Sequence, residues 1–420
     1  MDIRIQAIAD RAQTEFGLEN YRLGRHAIFQ KQDALGEPYY QLSMEWFPFT
    51  AGEIEEDENP DGTAVIDYHI QEERFETVIF VMEQSESTCR PFMNKTVEEM
   101  ASFVERQTRY QFGRDFFVRE FYGSGVSFHS EVDGIRLSPN FQAEVNCDEQ
   151  GRLISFTTYG KAPDPHAIMQ QEFHMTLEEI EPLVQEHVKL FEFPSETRGK
   201  FVSAYTVDEV FIAVDGSTCL PFFTDERMAV PVGELLEWTE PLHGSINRNP
   251  LGPSQAVDVE EAFQERTTEA FCLSAEQVEQ CKLAVLTALR MEYPEESGKW
   301  RLKMLQPEQR YISAFCQAAE STASDILRPK LVFFIDKSTM NVMNLMDNRL
   351  MLQDMFNSFQ PAEPAKIDKG TAFEALVPYI TMEPVYVYDF RNKTYVLCGL
   401  IDTDVAVDAV SGEIVTLEDL

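Results

Sequence analysis

The chain has 420 residues, 44% hydrophobic and 25% charged, an ordinary globular composition with length for about two to four domains. Its 72 acidic residues against 35 Lys and Arg give a formal charge of −37. That charge repels phosphate backbones and anionic headgroups, which argues against nucleic acid and membrane surfaces as partners and for solubility or a basic protein partner.

The seven cysteines, Cys89, Cys147, Cys219, Cys272, Cys281, Cys316 and Cys398, stand singly with no CxxC. They suit buried free thiols in a reducing compartment, with Cys89 and Cys398 as core residues. The opening MDIRIQAIADRAQTEF is an amphipathic helix without the unbroken apolar stretch of a signal peptide, and no window approaches a membrane span. The expectation is a soluble, cytoplasmic chain.

In chain order, Tyr21–Trp46 predicts a hairpin turning at Asp33–Gly36, and Ala64–Met82 another turning at Gln71–Arg74. Between them, DENPDG (Asp57–Gly62) fits the first half of a calcium loop, D-x-[DN]-x-[DN]-G. The twelfth position is Tyr68 instead of Glu, and Pro60 stiffens the centre. Asp57, Asn59 and Asp61 are therefore weak metal candidates on an acidic hairpin loop.

Four helix starts carry a capping pattern: Thr96–Glu99, Thr176–Glu179, Ser274–Gln277 and Thr371–Glu374. Apolar residues follow at helical spacing, as in Met100, Phe103 and Val104 or Ile180, Leu183 and Val184. β-rich stretches come after each helix. Three share one pattern, an apolar run, an Asp, a polar turn and a second apolar run: Val210–Phe223, Val332–Leu345 and Val405–Leu417. In each, Asp215, Asp336 or Asp408 precedes Thr218, Thr339 or Ser411 by three residues. An Asp there accepts from the turn's own amides, so each stretch predicts a hairpin. Val145–Phe156 is a looser copy with Gly151 in its turn. Gly123 and Gly125 also read as a hairpin turn. The aromatics Phe116, Phe117, Phe121, Tyr122, Tyr386, Tyr388 and Phe390 read mainly as core, and alternation in Glu383–Leu397 predicts one buried and one exposed sheet face.

Thr239–Asp258, rich in Pro, Gly, Ser and Asn, predicts the main break. Tyr159–Gln171 and Asn357–Gly370 predict lesser ones. The expected modules are 1–92, 93–160, 161–240, 258–356 and 357–420, with 241–257 as a linker. Variable helix-to-turn distances argue against a solenoid.

A capped helix followed by an antiparallel sheet and VDAVSGEIVTL resembles the PepSY module. Phe116–Gly160 resembles the repeats of the bacterial YcdB/YcdC family, with Val145, Asp148, Gly151, Leu153, Ser155 and Phe156 carrying the pattern. The resemblance implies an α+β protein of tandem PepSY-like modules, each a capped helix packed on an antiparallel sheet. PepSY modules act as binding or inhibitory domains often associated with peptidases, and relatives are often extracytoplasmic. The family supplies no catalytic residue.

The sequence has no H-E-x-x-H, G-x-S-x-G, P-loop or G-x-G-x-x-G. His174 and Glu178 stand four apart and straddle a helix start, without a further ligand nearby. No cofactor is implied. The function expected is a non-catalytic binding or regulatory protein that binds or inhibits a peptidase or another, basic, protein. The alternative is a hydrolase whose site assembles at a module junction, marked by a pocket where carboxylates and a His converge.

Overall fold

A computed structural model describes residues 1–52, 58–216, 218–251, 256–264, 273–308, 310–319 and 329–420. The chain is mixed helix and antiparallel sheet, and strand predominates. It forms two compact units: Met1–Ile168 with Gly252–Ala270 and Lys393–Tyr395, and Met169–Leu251 with Phe271–Asn392 and Val396–Leu420.

In the first unit α1 (Ile3–Phe16) begins where the Asp2 carboxylate accepts from Arg4 N at 2.8 Å, and ends at Gly17, φ 62°. Ile5, Ile8, Ala9, Ala12 and Phe16 recur on one face and are buried. Four strands follow: β1 (Tyr21–Gln32), β2 (Pro38–Pro48), β3 (Ala64–His69) and β4 (Arg74–Phe80). The plan repeats with α2 (Val97–Thr108), where Thr96 Oγ1 accepts from Glu99 N at 3.3 Å. Then come β5 (Phe117–Phe121), β6 (Gly125–His129), an inserted hairpin of β7 (Glu131–Val132) and β8 (Ile135–Ser138), β9 (Gln142–Cys147) and β10 (Leu153–Tyr159).

The sheet order β1-β2-β3-β4-β10-β9-β6-β5 reads the same from either end. Two helix-plus-four-strand modules meet at β4 and β10, where Val78 faces Phe156. The stretches expected as separate modules, 1–92 and 93–160, thus share one sheet and one core. Edge-to-face contacts knit that core, among them Phe92–Phe103, Phe103–Phe156 and Phe116–Phe128.

The second unit opens with α3 (Leu177–His187), where Thr176 N donates to Glu179 Oε2 at 3.0 Å. β11 (Val188–Ser195), β12 (Lys200–Val207), β13 (Val210–Ala213) and β14 (Cys219–Pro221) follow, then a short α4 (Thr224–Met228) and β15 (Val230–Leu236). The chain returns to the first unit as α5 (Val259–Ala262), where Val257 N donates to Ile28 O at 2.8 Å. It re-enters the second with α6 (Ala275–Glu292), opened by the reciprocal Ser274–Gln277 bonds. The next strands are β16 (Trp300–Pro307), β17 (Tyr311–Ala318), β18 (Lys330–Asp336) and β19 (Val342–Asp347), followed by α7 (Arg349–Phe356). Last come α8 (Lys369–Leu376), β20 (Thr381–Asp389), β21 (Thr394–Asp402), β22 (Val405–Asp408) and β23 (Ile414–Thr416).

β15 to β19 form a five-stranded sheet with α6 packed on one face. The stretch expected as the main break lies against this body: Leu242 N donates to Arg290 O at 3.1 Å and Asn249 N to Met343 O at 2.9 Å. The third and fifth modules are intertwined. One sheet runs β11-β12-β22-β23, and β14-β13-β21-β20 pair in the other. Each module keeps its first two strands and passes its closing hairpin to its counterpart, across the links Asp208–Glu209 and Thr403–Asp404. Ile180, Val184, Val207, Ile212, Phe373, Leu376, Ile401 and Val407 fill their common core.

The Asp turns recur as local structure. Asp33, Asp148, Asp336, Asp389 and Asp408 each accept from two main-chain amides further along their own turn. In the Val210–Phe223 hairpin Ala213 N pairs with Thr218 O at 2.9 Å, so the last strand pair closes two residues before Asp215.

Three further details depart from expectation. Asp368, not Thr371, caps α8, because its carboxylate accepts from both Gly370 N and Thr371 N. Val385, Tyr386, Val387 and Tyr388 are all buried, so β20 has no exposed aromatic face. Cys398 is buried, but Cys89 is only half-buried. The other described cysteines are free thiols too, and Cys272 lies outside the described residues.

Candidate functional site

The second unit contains a groove of about 1110 Å³. Its floor follows from the pleat of the five-stranded sheet. Ala314, Cys316, Leu331 and Phe333 point into the α6 core, so their neighbours point the other way. There, Met304 faces Phe315, Phe315 faces Val332 and Val332 faces Met346 in one cross-strand row. This row lines the groove. Other lining comes from Phe191 and Phe193 on β11, from Phe222 and Phe223 after β14, and from Met351 on α7.

Phe223 is 64% exposed, Met346 53% and Met351 55%. These side chains form an exposed apolar patch inside a concave lining. Each large one removed from water by a ligand is worth about 1.5–3 kcal/mol. The Met side chains can re-pack against ligands of different shape.

The charged lining is mixed: Lys189, Lys303 and Lys330 against Asp208, Glu209, Glu226 and Asp402. Lys189 Nζ bonds the Asp208 carboxylate, and Lys303 Nζ bonds Glu226 at 2.8 Å. His187 also lines the groove, and its buried Nδ1 has no hydrogen-bond partner among the described residues. Burial, then Lys189, holds its pKa below the usual value and keeps the ring neutral at pH 7. Desolvation raises the Cys219 thiol, so no thiolate is poised here. With Asp208 occupied by Lys189, the groove presents apolar surface more clearly than a catalytic pair.

A second constellation lies inside the first unit. Arg74 is 4% exposed and is held by Glu72 at 2.5 Å, Glu76 at 2.9 Å and Thr158 Oγ1 at 3.1 Å. Lys161 reaches Asp33 at 2.8 Å and Glu72 at 3.2 Å. His69 stacks on Tyr39 with ring centroids 4.2 Å apart, and its Nε2 stands 3.8 Å from Glu72. Burial pushes His69 down to about 4. Burial would raise Glu72, but Arg74 pulls it to about 2. These charges join the turn after β1, the turn after β3 and the segment after β10, so they act as an internal clasp.

Of the weak metal candidates, Asn59 Oδ1 accepts from Arg25 at 3.4 Å and Asp61 Oδ2 from Gln84 at 3.2 Å, while Asp57 lies outside the described residues. Tyr68 is buried in β3. His174 Nε2 meets Glu172 at 2.8 Å with both side chains exposed, and Glu178 lines a different hollow. Among the described residues, no three of His, Cys, Asp and Glu gather as metal ligands would. None of their helices is long and apolar enough to cross a membrane.

Sequence reasoning missed both the groove and the clasp. A signal for the groove existed in Leu331–Ile335, an unbroken apolar run in an antiparallel strand, which implies apolar residues on both faces.

No family model matches the chain, and no curated protein matches it. Among solved structures, the Bacillus megaterium YpeB C-terminal domain is similar over 81% of this chain and 96% of its own, at 9% identity and a TM-score of 0.25. That likeness is too slight to define the fold.

Proposed function

We propose that this chain is a non-catalytic binding protein built of PepSY-like modules, and that the groove of its second unit holds an apolar, cationic segment of a protein partner. The observation that supports this reading is the cross-strand row of Met304, Phe315, Val332 and Met346, which lines one groove together with Phe191 and Phe193. A charge of −37 favours a basic partner and speeds its approach. The resemblance of Phe116–Gly160 to PepSY-type repeats suggests a peptidase as that partner, bound or inhibited.

The competing reading is a hydrolase using His187 with Asp208 or Asp402, since all three line the groove. A mixture of casein-derived peptides passed over the immobilised protein separates the two. Mass spectrometry should find intact apolar, cationic peptides retained, with retention reduced in Phe315→Ser. Cleaved peptides, or equal retention by the variant, would defeat the binding reading.

A further inference from the structure

The first unit holds a smaller cavity of about 240 Å³, lined from α1, α2, the start of β10 and the segment that follows β4. Phe16, Phe103 and Leu153 give it an apolar floor, each no more than 4% exposed. Arg90 and Arg106 also line it and are themselves exposed, so they stand at its mouth. The Arg106 guanidinium lies over the Phe103 ring, 5.6 Å from its centroid, and its Nη1 donates to Ser102 O at 3.1 Å. Those two contacts orient the group and leave its other N–H donors free to meet a ligand. Arg90 follows a segment fixed by Ser87, whose Oγ accepts from Cys89 N at 3.1 Å and donates to Phe16 O at 2.7 Å.

The charge at this cavity runs against that of the chain. The sequence has 72 acidic residues against 35 Lys and Arg, yet among the described residues neither Arg90 nor Arg106 forms an ion pair. The carboxylate in the lining, Glu15, is engaged elsewhere. Gln107 Nε2 donates to one of its oxygens and Arg11 Nε meets the other at 3.4 Å. Two uncompensated guanidinium groups thus stand over an apolar floor.

We propose that this cavity binds a small apolar monocarboxylate. Arg90 and Arg106 take the acid group, because a guanidinium presents paired N–H donors that match the two oxygens of a carboxylate. The apolar body lies on Phe16, Phe103 and Leu153 and is removed from water there. The volume is smaller than that of pockets for drug-sized ligands, so the body is a single ring or a short branched chain. Inorganic phosphate satisfies the two Arg but leaves the floor wet. A cation of the same shape fits the floor and is repelled at the mouth. The site belongs to the first unit and does not rest on the groove reading.

The test uses the full chain and fluorine NMR, with para-fluorobenzoate as the probe. Its signal should broaden in the presence of the protein, and that of para-fluorobenzylamine should not. Unlabelled benzoate should displace the probe, and inorganic phosphate at the same concentration should not. Arg90→Gln and Arg106→Gln should each weaken binding by about tenfold, the effect of one lost charge-assisted contact. Both positions are exposed, so neither change threatens the fold. Arg301→Gln, at an exposed position in the second unit, should leave binding unchanged. No broadening, an affinity that neither substitution at the mouth moves, or equal displacement by phosphate would overturn the proposal.

Discussion

His69 shows how one buried side chain ties stability to pH. Folding lowers its pKa from 6.5 to about 4, because burial disfavours the charged ring. Between those values the unfolded chain binds the proton and the folded chain does not. This contribution is complete above pH 6.5 and is lost as pH falls towards 4. Glu72 acts in a lower window, its stabilisation fading as pH falls from 4.5 to about 2. Urea unfolding between about pH 7 and pH 5 should show His69→Gln losing less stability than the parent, by on the order of 1–3 kcal/mol. Identical pH profiles would remove His69 from the account.

Gly151 makes a second residue-scale test. Its φ is 76°, and an added Cβ would lie 2.5 Å from Phe92 O. Gly199, φ 58°, has open space around it. Alanine should cost about 1 kcal/mol at Gly199 and about 3 at Gly151, read from urea midpoints. The turn at Gly151 was legible because Asp-x-x-Gly chemistry is local. The clasp was not, because Asp33, Glu72, Arg74 and Lys161 meet only after three separate segments fold together.

At the scale of elements, the exchange of hairpins between the third and fifth modules makes an unusual prediction. Ala204 faces Asp408 and Tyr205 faces Val407, so β12 depends on the chain's last hairpin. β21 instead leans on β13, with Leu400 opposite Phe211. Deleting residues 404–420 should speed amide exchange at Ala204 and Tyr205 far more than at Leu400 and Ile401. The opposite order would mean that each module keeps its own hairpin. The hairpins themselves could be read from the Asp-turn pattern, and so could three of the four capped helix starts. Their destination could not, because an apolar strand pair fits either sheet equally well. The fourth cap was misplaced at Thr371 because Asp368, three residues earlier, accepts from Gly370 N and Thr371 N and so opens the helix one turn sooner.

For the whole molecule, net charge and groove work together. A field of −37 should speed capture of a cationic peptide, and screening should remove that advantage. Raising salt from about 0.05 to 0.5 M should slow association by about tenfold and change dissociation little, as stopped-flow fluorescence would show. A salt-independent association rate would leave the acidity without a part in binding. The charge was visible in composition, but the groove exists only where strands distant in sequence set their apolar residues in one row.

The most direct measurement is a methyl spectrum of the chain carrying ¹³C-methyl methionine, titrated with a peptide of alternating Val and Thr that has Lys pairs at both ends. Met304, Met346 and Met351 line the groove, whereas Met44 and Met100 are buried in the core of the first unit. The account predicts progressive shifts at the first three, none at the last two, and an intact peptide at the end. Shifts confined to the first unit, or a peptide found cleaved, would contradict it.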